Sequence, residues 1–234
     1  MTIPDPPRFT RRLYLLRHAD VRYFDEQGRP QPPNEVPLSA QGCTQAKAMG
    51  ELLREIPFDR VVTSDLQRTQ QTAQIILEQN EQSPPKIEAI SALREIQPGR
   101  LADLSAREAR EAFLGGFAST VTRESRFLGG EEVGSFVDRV EKQVQQLLRS
   151  RDWSRTLMVA HGGVNRVVLM RAWRADLAGL GAVEQDPCCL NVIDVDENVQ
   201  LLVRLVNYTP YSLLKEGMQY TTMEKLFLEY RQES

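Results

Sequence analysis

Leu13-Tyr14-Leu15-Leu16-Arg17-His18 and Leu157-Met158-Val159-Ala160-His161-Gly162-Gly163 decide how this chain is read. Each is a short apolar run ending in a histidine, and His18 and His161 are the only two histidines in the chain. Apolar runs of this length read as buried strands. In open α/β sheets, ligands bind in crevices outside the carboxyl ends of parallel strands. Two imidazoles at two such ends, one preceded by Arg17 and one followed by two glycines, are therefore expected to share one site.

Outward from these runs the chain alternates strands and helices. Ser39 caps a predicted helix to about residue 56, with Met49, Leu52, Leu53 and Ile56 as its buried stripe. Residues 61–63 read as a strand, followed by a helix capped by Ser64 or Asp65 and reaching about Leu77, with Arg68 in its first turn. Residues 87–90 are a third short strand, and one helix is expected at 105–113 within an irregular stretch. Phe136, Val137, Val140, Val144, Leu147 and Leu148 mark an amphipathic helix leading to the second histidine strand. A helix resumes after Gly163, and residues 190–195 and 201–206 suit an antiparallel hairpin. The expected fold class is α/β, a three-layer α/β/α sandwich around a mostly parallel sheet. Residues 1–10 are expected to be a flexible tail, and 11–234 one domain with an insertion at about 96–130.

Composition narrows the function classes. With 234 residues, 41% hydrophobic and 26% charged, the chain can bury a substantial core. A net charge of -3 gives no cationic field for nucleic acid or an anionic membrane, so neither partner is expected. No signal peptide or membrane-spanning run is evident, which points to the cytoplasm. Cys43, Cys188 and Cys189 lack metal-like spacing and read as reduced and structural. No metal and no cofactor is implied, because neither histidine has a suitable ligand two or four residues on and the aspartates do not cluster. A homodimer is left open.

The run Leu15-Leu16-Arg17-His18-Ala19 resembles the Arg-His-Gly signature of the histidine phosphatase superfamily, the phosphoglycerate mutase-like fold. Further pieces follow in order over residues 12–172. Pro37-Leu38-Ser39, Gly42 and Gln45-Ala46 are similar to the opening of the family's first helix, and Ser64-Asp65-Leu66, Arg68-Thr69 and Thr72-Ala73 to that of its second. Leu93, Glu95 and Gly99 resemble its acid-bearing loop, Gly129-Gly130-Glu131 opens the next matching helix, and His161-Gly162-Gly163 resembles its second histidine motif. The resemblance implies a metal-independent phosphomonoesterase acting on a small phosphorylated metabolite.

Residue chemistry supports the same assignment. Phosphoryl transfer from an ester needs a nucleophile, positive charge on the nonbridging oxygens and a proton for the leaving alcohol. A neutral imidazole meets no like-charge penalty against an anionic ester, so His18 is the candidate nucleophile, with its other ring nitrogen expected to donate to a backbone carbonyl. Arg17 and Arg68 offer planar forks for phosphate oxygens. His161 is expected to donate a further hydrogen bond to the phosphoryl group, and Glu95 to protonate the leaving oxygen and then activate water.

Several positions depart from the family pattern. Ala19 replaces a glycine and is tolerated only with φ below zero. Val21 and Phe24 stand where many members carry a hydroxyl residue and an asparagine, and Arg100-Leu101-Ala102-Asp103 replaces a common tryptophan. The long basic insertion of cofactor-dependent mutases is missing, and residues 93–108 carry few cations, which favours hydrolysis over mutase action. A phosphoglycerate-type mutase and a non-catalytic phospho-ligand module are the competing readings. The 20–37 loop, with Arg22, Tyr23 and Phe24, is expected to shape the substrate pocket, and the aromatic-rich segment 207–230 to cover the pocket or a subunit contact.

Overall fold

The two histidine-bearing runs are neighbouring parallel strands. A computed structural model describes residues 8–25, 29, 31–99, 105–115, 120–216 and 220–231. Residues 1–7 of the expected tail, Gly28 and Pro30 in the long loop, and the 100–103 run lie outside the described residues. β1 (Phe9–Arg17) and β4 (Arg155–Ala160) pair in parallel, with Arg17 opposite Ala160. The same register carries His18 and His161 off the same end of the sheet.

Around this pair the sheet runs β3-β2-β4-β1-β5-β6, where β2 is Arg60–Thr63, β3 Ile87–Ala89, β5 Leu190–Asp196 and β6 Leu201–Tyr208. β3, β2, β4 and β1 are mutually parallel, and β5 is antiparallel to both its neighbours. Side chains alternate across the pleat, so the strands feed two cores. Leu13 and Leu15 pack with Phe136 and Val140 of α4 (Val133–Arg149) and Val164 of α5 (Gly162–Trp173). Tyr14 and Leu16 face the other way, onto Met49 of α1 (Ala40–Leu53) and Ile76 of α2 (Gln67–Glu78). Helices on both faces make the layered α/β/α arrangement expected from the sequence.

Three expectations need correction. β1 begins at Phe9, inside the expected 1–10 tail, because Phe9 pairs with Asp196 of β5. α1 ends at Leu53 rather than about Ile56, and its buried face is Ala46, Met49 and Leu53; Leu52 is 46% exposed, because it stands one position off the i, i+3, i+4, i+7 row. α2 is not capped by Ser64 or Asp65. Its N-cap is Leu66, without a side-chain cap, because both polar candidates are engaged elsewhere in the site. The Ser39 cap is present, its hydroxyl accepting from the Gly42 amide at 3.0 Å.

α3 (Ala106–Gly115) and a C-terminal helix, α6 (Thr222–Arg231), pack on each other, Phe113 lying 5.9 Å from Phe227 and 5.7 Å from Tyr230 between ring centroids. Among the described residues, no helix is long and apolar enough to cross a membrane.

Candidate active site

His18 follows β1 directly and its amide donates to Ala160 O at 2.9 Å, so the nucleophile candidate is fastened to the central strand pair. Its ring is 2% exposed. Nδ1 lies 2.7 Å from the Ala19 carbonyl, which places the ring proton on Nδ1 and leaves Nε2 with a lone pair. Burial first, then the charges of Arg68 and Arg17, hold this imidazole well below the usual histidine pKa. Ala19 adopts no positive φ, as its side chain requires.

Arg17 and Arg68 are buried on either side of this chemistry, at 8% and 3% exposure. Arg17 Nη1 donates to Gln185 O at 2.6 Å and to Thr222 Oγ1, on α6, at 3.0 Å. The Gln185 side chain is itself held in a reciprocal amide pair with Asn191. Arg68 Nη1 donates to the Pro33 carbonyl of the long loop at 2.5 Å. Both Nε atoms are buried with no hydrogen-bond partner among the described residues. Two orphaned guanidinium donors beside a neutral imidazole form a ready anion site, since a buried unsatisfied donor costs free energy that an anionic oxygen would recover.

His161 is fully buried 5.2 Å from His18, centroid to centroid. Its Nε2 lies 2.8 Å from Ser64 Oγ and its Nδ1 3.4 Å from Arg68 Nη2. The surrounding hydroxyls assign the proton. Thr69 Oγ1 donates to the Leu66 and Ser64 carbonyls, so the 2.8 Å contact between Ser64 Oγ and Thr69 Oγ1 needs the Ser64 proton. Ser64 Oγ then accepts from His161 Nε2–H, and Nδ1 is left as the acceptor for Arg68. Sequence reasoning expected His161 to donate towards the phosphoryl group; as the ring stands, it orients Arg68. Burial, followed by Arg68, His18 and Arg17, keeps its pKa well below the usual value.

Glu95 reaches the same end of the cavity. Its Oε2 accepts from the Gly163 amide at 2.9 Å, at the start of α5, and its Oε1 from the Ile96 amide at 3.0 Å. The loop carrying it is braced twice. Arg94 forms a two-point pair with Asp65 at 2.6 and 2.7 Å, and Arg139 of α4 donates to the Ala92, Arg94 and Glu95 carbonyls while pairing with Glu131. Ser64, Asp65, Arg139 and Glu131 escaped functional reading from the sequence. Asp65 and Ser64 read as helix caps, and Arg139 stands between the stripe residues Val137 and Val140 without a motif of its own.

All five candidates therefore meet around one cavity of about 570 Å³, lined by Arg17, His18, Arg68, Glu95 and Gly163, with His161 directly behind. That volume falls within the roughly 300–1,000 Å³ of small-molecule sites. Tyr23 and Phe24 line it, whereas Arg22 does not. Thr222, Met223 and Leu226 line it too, so α6 forms part of its wall, while Tyr211, Leu213, Leu214 and Tyr220 of the C-terminal segment are exposed. Among the described residues, no group of three or more His, Cys, Asp or Glu side chains is arranged to hold a metal ion.

Known proteins are similar to this chain in sequence and in fold. A curated relative named "Probable phosphoglycerate mutase GpmB", from Salmonella paratyphi A, is 34% identical over 152 residues, covering 64% of this chain and 69% of its own. The adenosylcobalamin/alpha-ribazole phosphatase of Salmonella typhimurium is 29% identical over 193 residues, covering 82% of this chain and 94% of its own. Among solved structures, the alpha-ribazole phosphatase of Shigella flexneri superposes with a TM-score of 0.69 at 25% identity, over 84% of this chain and 96% of that one. A mycobacterial glucosyl-3-phosphoglycerate phosphatase in complex with VO3 superposes with a TM-score of 0.67 at 25% identity, over 85% of this chain and 100% of that one. The profile of the Histidine phosphatase superfamily (branch 1) matches residues 13–208, spanning both histidine strands and the acid loop but not α6, and the chain belongs to that superfamily.

Proposed function

We propose that the protein is a phosphoric monoester hydrolase that releases phosphate from a small phosphorylated metabolite in the cytoplasm, through a phosphohistidine on His18. The observation that carries this reading is the pair of orphaned, buried Nε donors of Arg17 and Arg68 beside a histidine whose Nδ1 is committed to a carbonyl. The Nε2 lone pair attacks phosphorus, the bond to the leaving oxygen breaks, and the Glu95 carboxyl hands that oxygen its proton. Water then gives a proton back to the Glu95 carboxylate and attacks phosphorus, and the P–Nε2 bond breaks. His161 accepts from Arg68 through Nδ1 and so keeps that guanidinium in place beside the phosphate.

The relative named as a mutase keeps the mutase reading alive, but the cavity's charges disfavour it. A bisphosphorylated intermediate needs cations for its second phosphate. Among the described residues, the two further arginines lining the cavity are ion-paired, Arg94 to Asp65 and Arg166 to Glu184.

The test is phosphate release from p-nitrophenyl phosphate in the presence of EDTA, by wild type and His18→Ala. Turnover that survives EDTA and disappears in the variant is expected. Turnover retained by the variant overturns His18 as nucleophile, and no turnover by either protein overturns hydrolysis in favour of a mutase or a phospho-ligand binder.

A further inference from the structure

Phosphoryl chemistry occupies one end of the cavity, and the rest is built differently. Phe24, Phe113, Phe127, Leu128, Met223 and Leu226 line it, and Phe113, Phe127 and Leu128 are at most 8% exposed. The uncharged amides Asn34 and Gln97 also line it but are exposed, while Gln31 is bonded to Arg22 O and Gln185 is paired with Asn191. Among the described residues, the charged side chains lining this half beyond the phosphate cradle are engaged, Arg94 with Asp65 and Arg166 with Glu184. Glu184 also accepts from Thr222 Oγ1 at 3.3 Å. A carboxylate or polyol entering this half would give up its hydration without finding a charge or a dense set of donors, whereas an apolar group would gain from leaving water.

Resting on the proposed phosphatase reading, we propose that the substrate is a monoester of a bulky, uncharged, apolar alcohol, and that Phe113, Met223 and Leu226 select it. Phe113 comes from α3, and Met223 and Leu226 come from α6, whose residues lie beyond the span the superfamily profile matches. The selecting wall is thus assembled largely by a helix that the shared phosphate chemistry does not require. Among the described residues, α6 meets that chemistry through the bond from Arg17 Nη1 to Thr222 Oγ1.

The experiment compares kcat/KM for 2-phenylethyl phosphate, glycerol 3-phosphate and 3-phosphoglycerate, with wild type and with Leu226→Ala and Met223→Ala. All three esters have alkyl leaving groups, so differences report binding of the alcohol rather than its intrinsic leaving ability. Wild type is expected to prefer the phenylethyl ester over both others by on the order of a hundredfold, and each variant to lower its preference over glycerol 3-phosphate by roughly tenfold, as for a missing methylene-sized contact in an apolar pocket. Equal or reversed preference in wild type overturns the apolar-substrate proposal while leaving the phosphatase reading intact. An unchanged preference in both variants overturns the role of α6. Failure to hydrolyse any ester, p-nitrophenyl phosphate included, instead marks failure of the phosphatase reading. Thermal melts of both variants identify one that has lost its fold, and the other then decides the role of α6.

Discussion

Gly163 and Glu95 fit each other as a lock. The glycine amide donates to Glu95 Oε2 at 2.9 Å, and a Cβ at position 163 would lie 2.3 Å from Oε1 and 3.1 Å from Phe136 Cζ. The glycine therefore makes room for the acid as well as holding it, which a backbone-to-phosphate approach alone would not demand. Gly162, by contrast, would bring its Cβ only into ordinary contact, 3.7 Å from Arg17 Nε.

Gly163→Ala is therefore expected to displace the carboxyl and lower kcat by about a hundredfold, the lower end of what a positioned acid–base contributes. Because Arg17 and Arg68 are untouched, binding of inorganic phosphate or vanadate should change little. Steady-state kinetics with a competitive phosphate titration separates the two effects, and an unchanged kcat would dismiss the contact as incidental.

Ser64→Ala removes the acceptor for His161 Nε2–H inside a fully buried setting. Leaving that donor unmet costs about 1–3 kcal/mol, and shifting the proton to Nδ1 would instead point it at the Arg68 guanidinium. Either route should lower kcat/KM by about tenfold or more. Nitrogen NMR of the His161 ring would show a single Nε2–H tautomer in wild type and a mixed or shifted one in the variant.

The depressed pKa of His18 has a direct kinetic sign. A base whose pKa lies well below about 6.5 stays neutral through mildly acid solution, so protonation of the nucleophile should not impose an acid limb near that pH. Rapid-mixing measurements of the burst from about pH 5 to about pH 8 test this, and an acid limb centred near 6.5 would contradict a neutral, buried His18.

The same two histidines link stability to pH. Folding holds His18 and His161 unprotonated, whereas the unfolded chain protonates them at about 6.5. Below that value the unfolded state binds more protons, so their contribution is full above it and falls with decreasing pH. Thermal melts should show this loss. Saturating phosphate should raise the melting temperature, since the anion binds the folded protein alone.

The strands and most helices could be read from period and punctuation, because 13–16, 157–160 and the Phe136–Leu148 stripe bury whole faces. Four of the five candidates stand where ordered motifs place them, Arg17 and His18 at the end of β1, His161 after β4 and Arg68 at the start of α2, whereas Glu95 stands in a loop. What escaped depends on contacts across the fold. Ser64 carries the signature of a cap, and only the arrival of His161 from β4 makes it an acceptor for an imidazole. Arg139 acts through three carbonyls of a loop more than 40 residues away. α6 gave only an aromatic-rich composition, and its partner α3 lies in the irregular middle of the chain.

The bond from the His18 amide to Ala160 O ties the nucleophile to the paired strands at the centre of the sheet, so that part of the site should exchange its amide hydrogen as slowly as the whole molecule unfolds. The wall that chooses the alcohol stands on a terminal helix outside that sheet. Adaptation can therefore remodel Met223 and Leu226 for a different alcohol with little strain on the strands that make the phosphohistidine, so new specificities are accessible by small steps from a catalyst whose foundation stays the same.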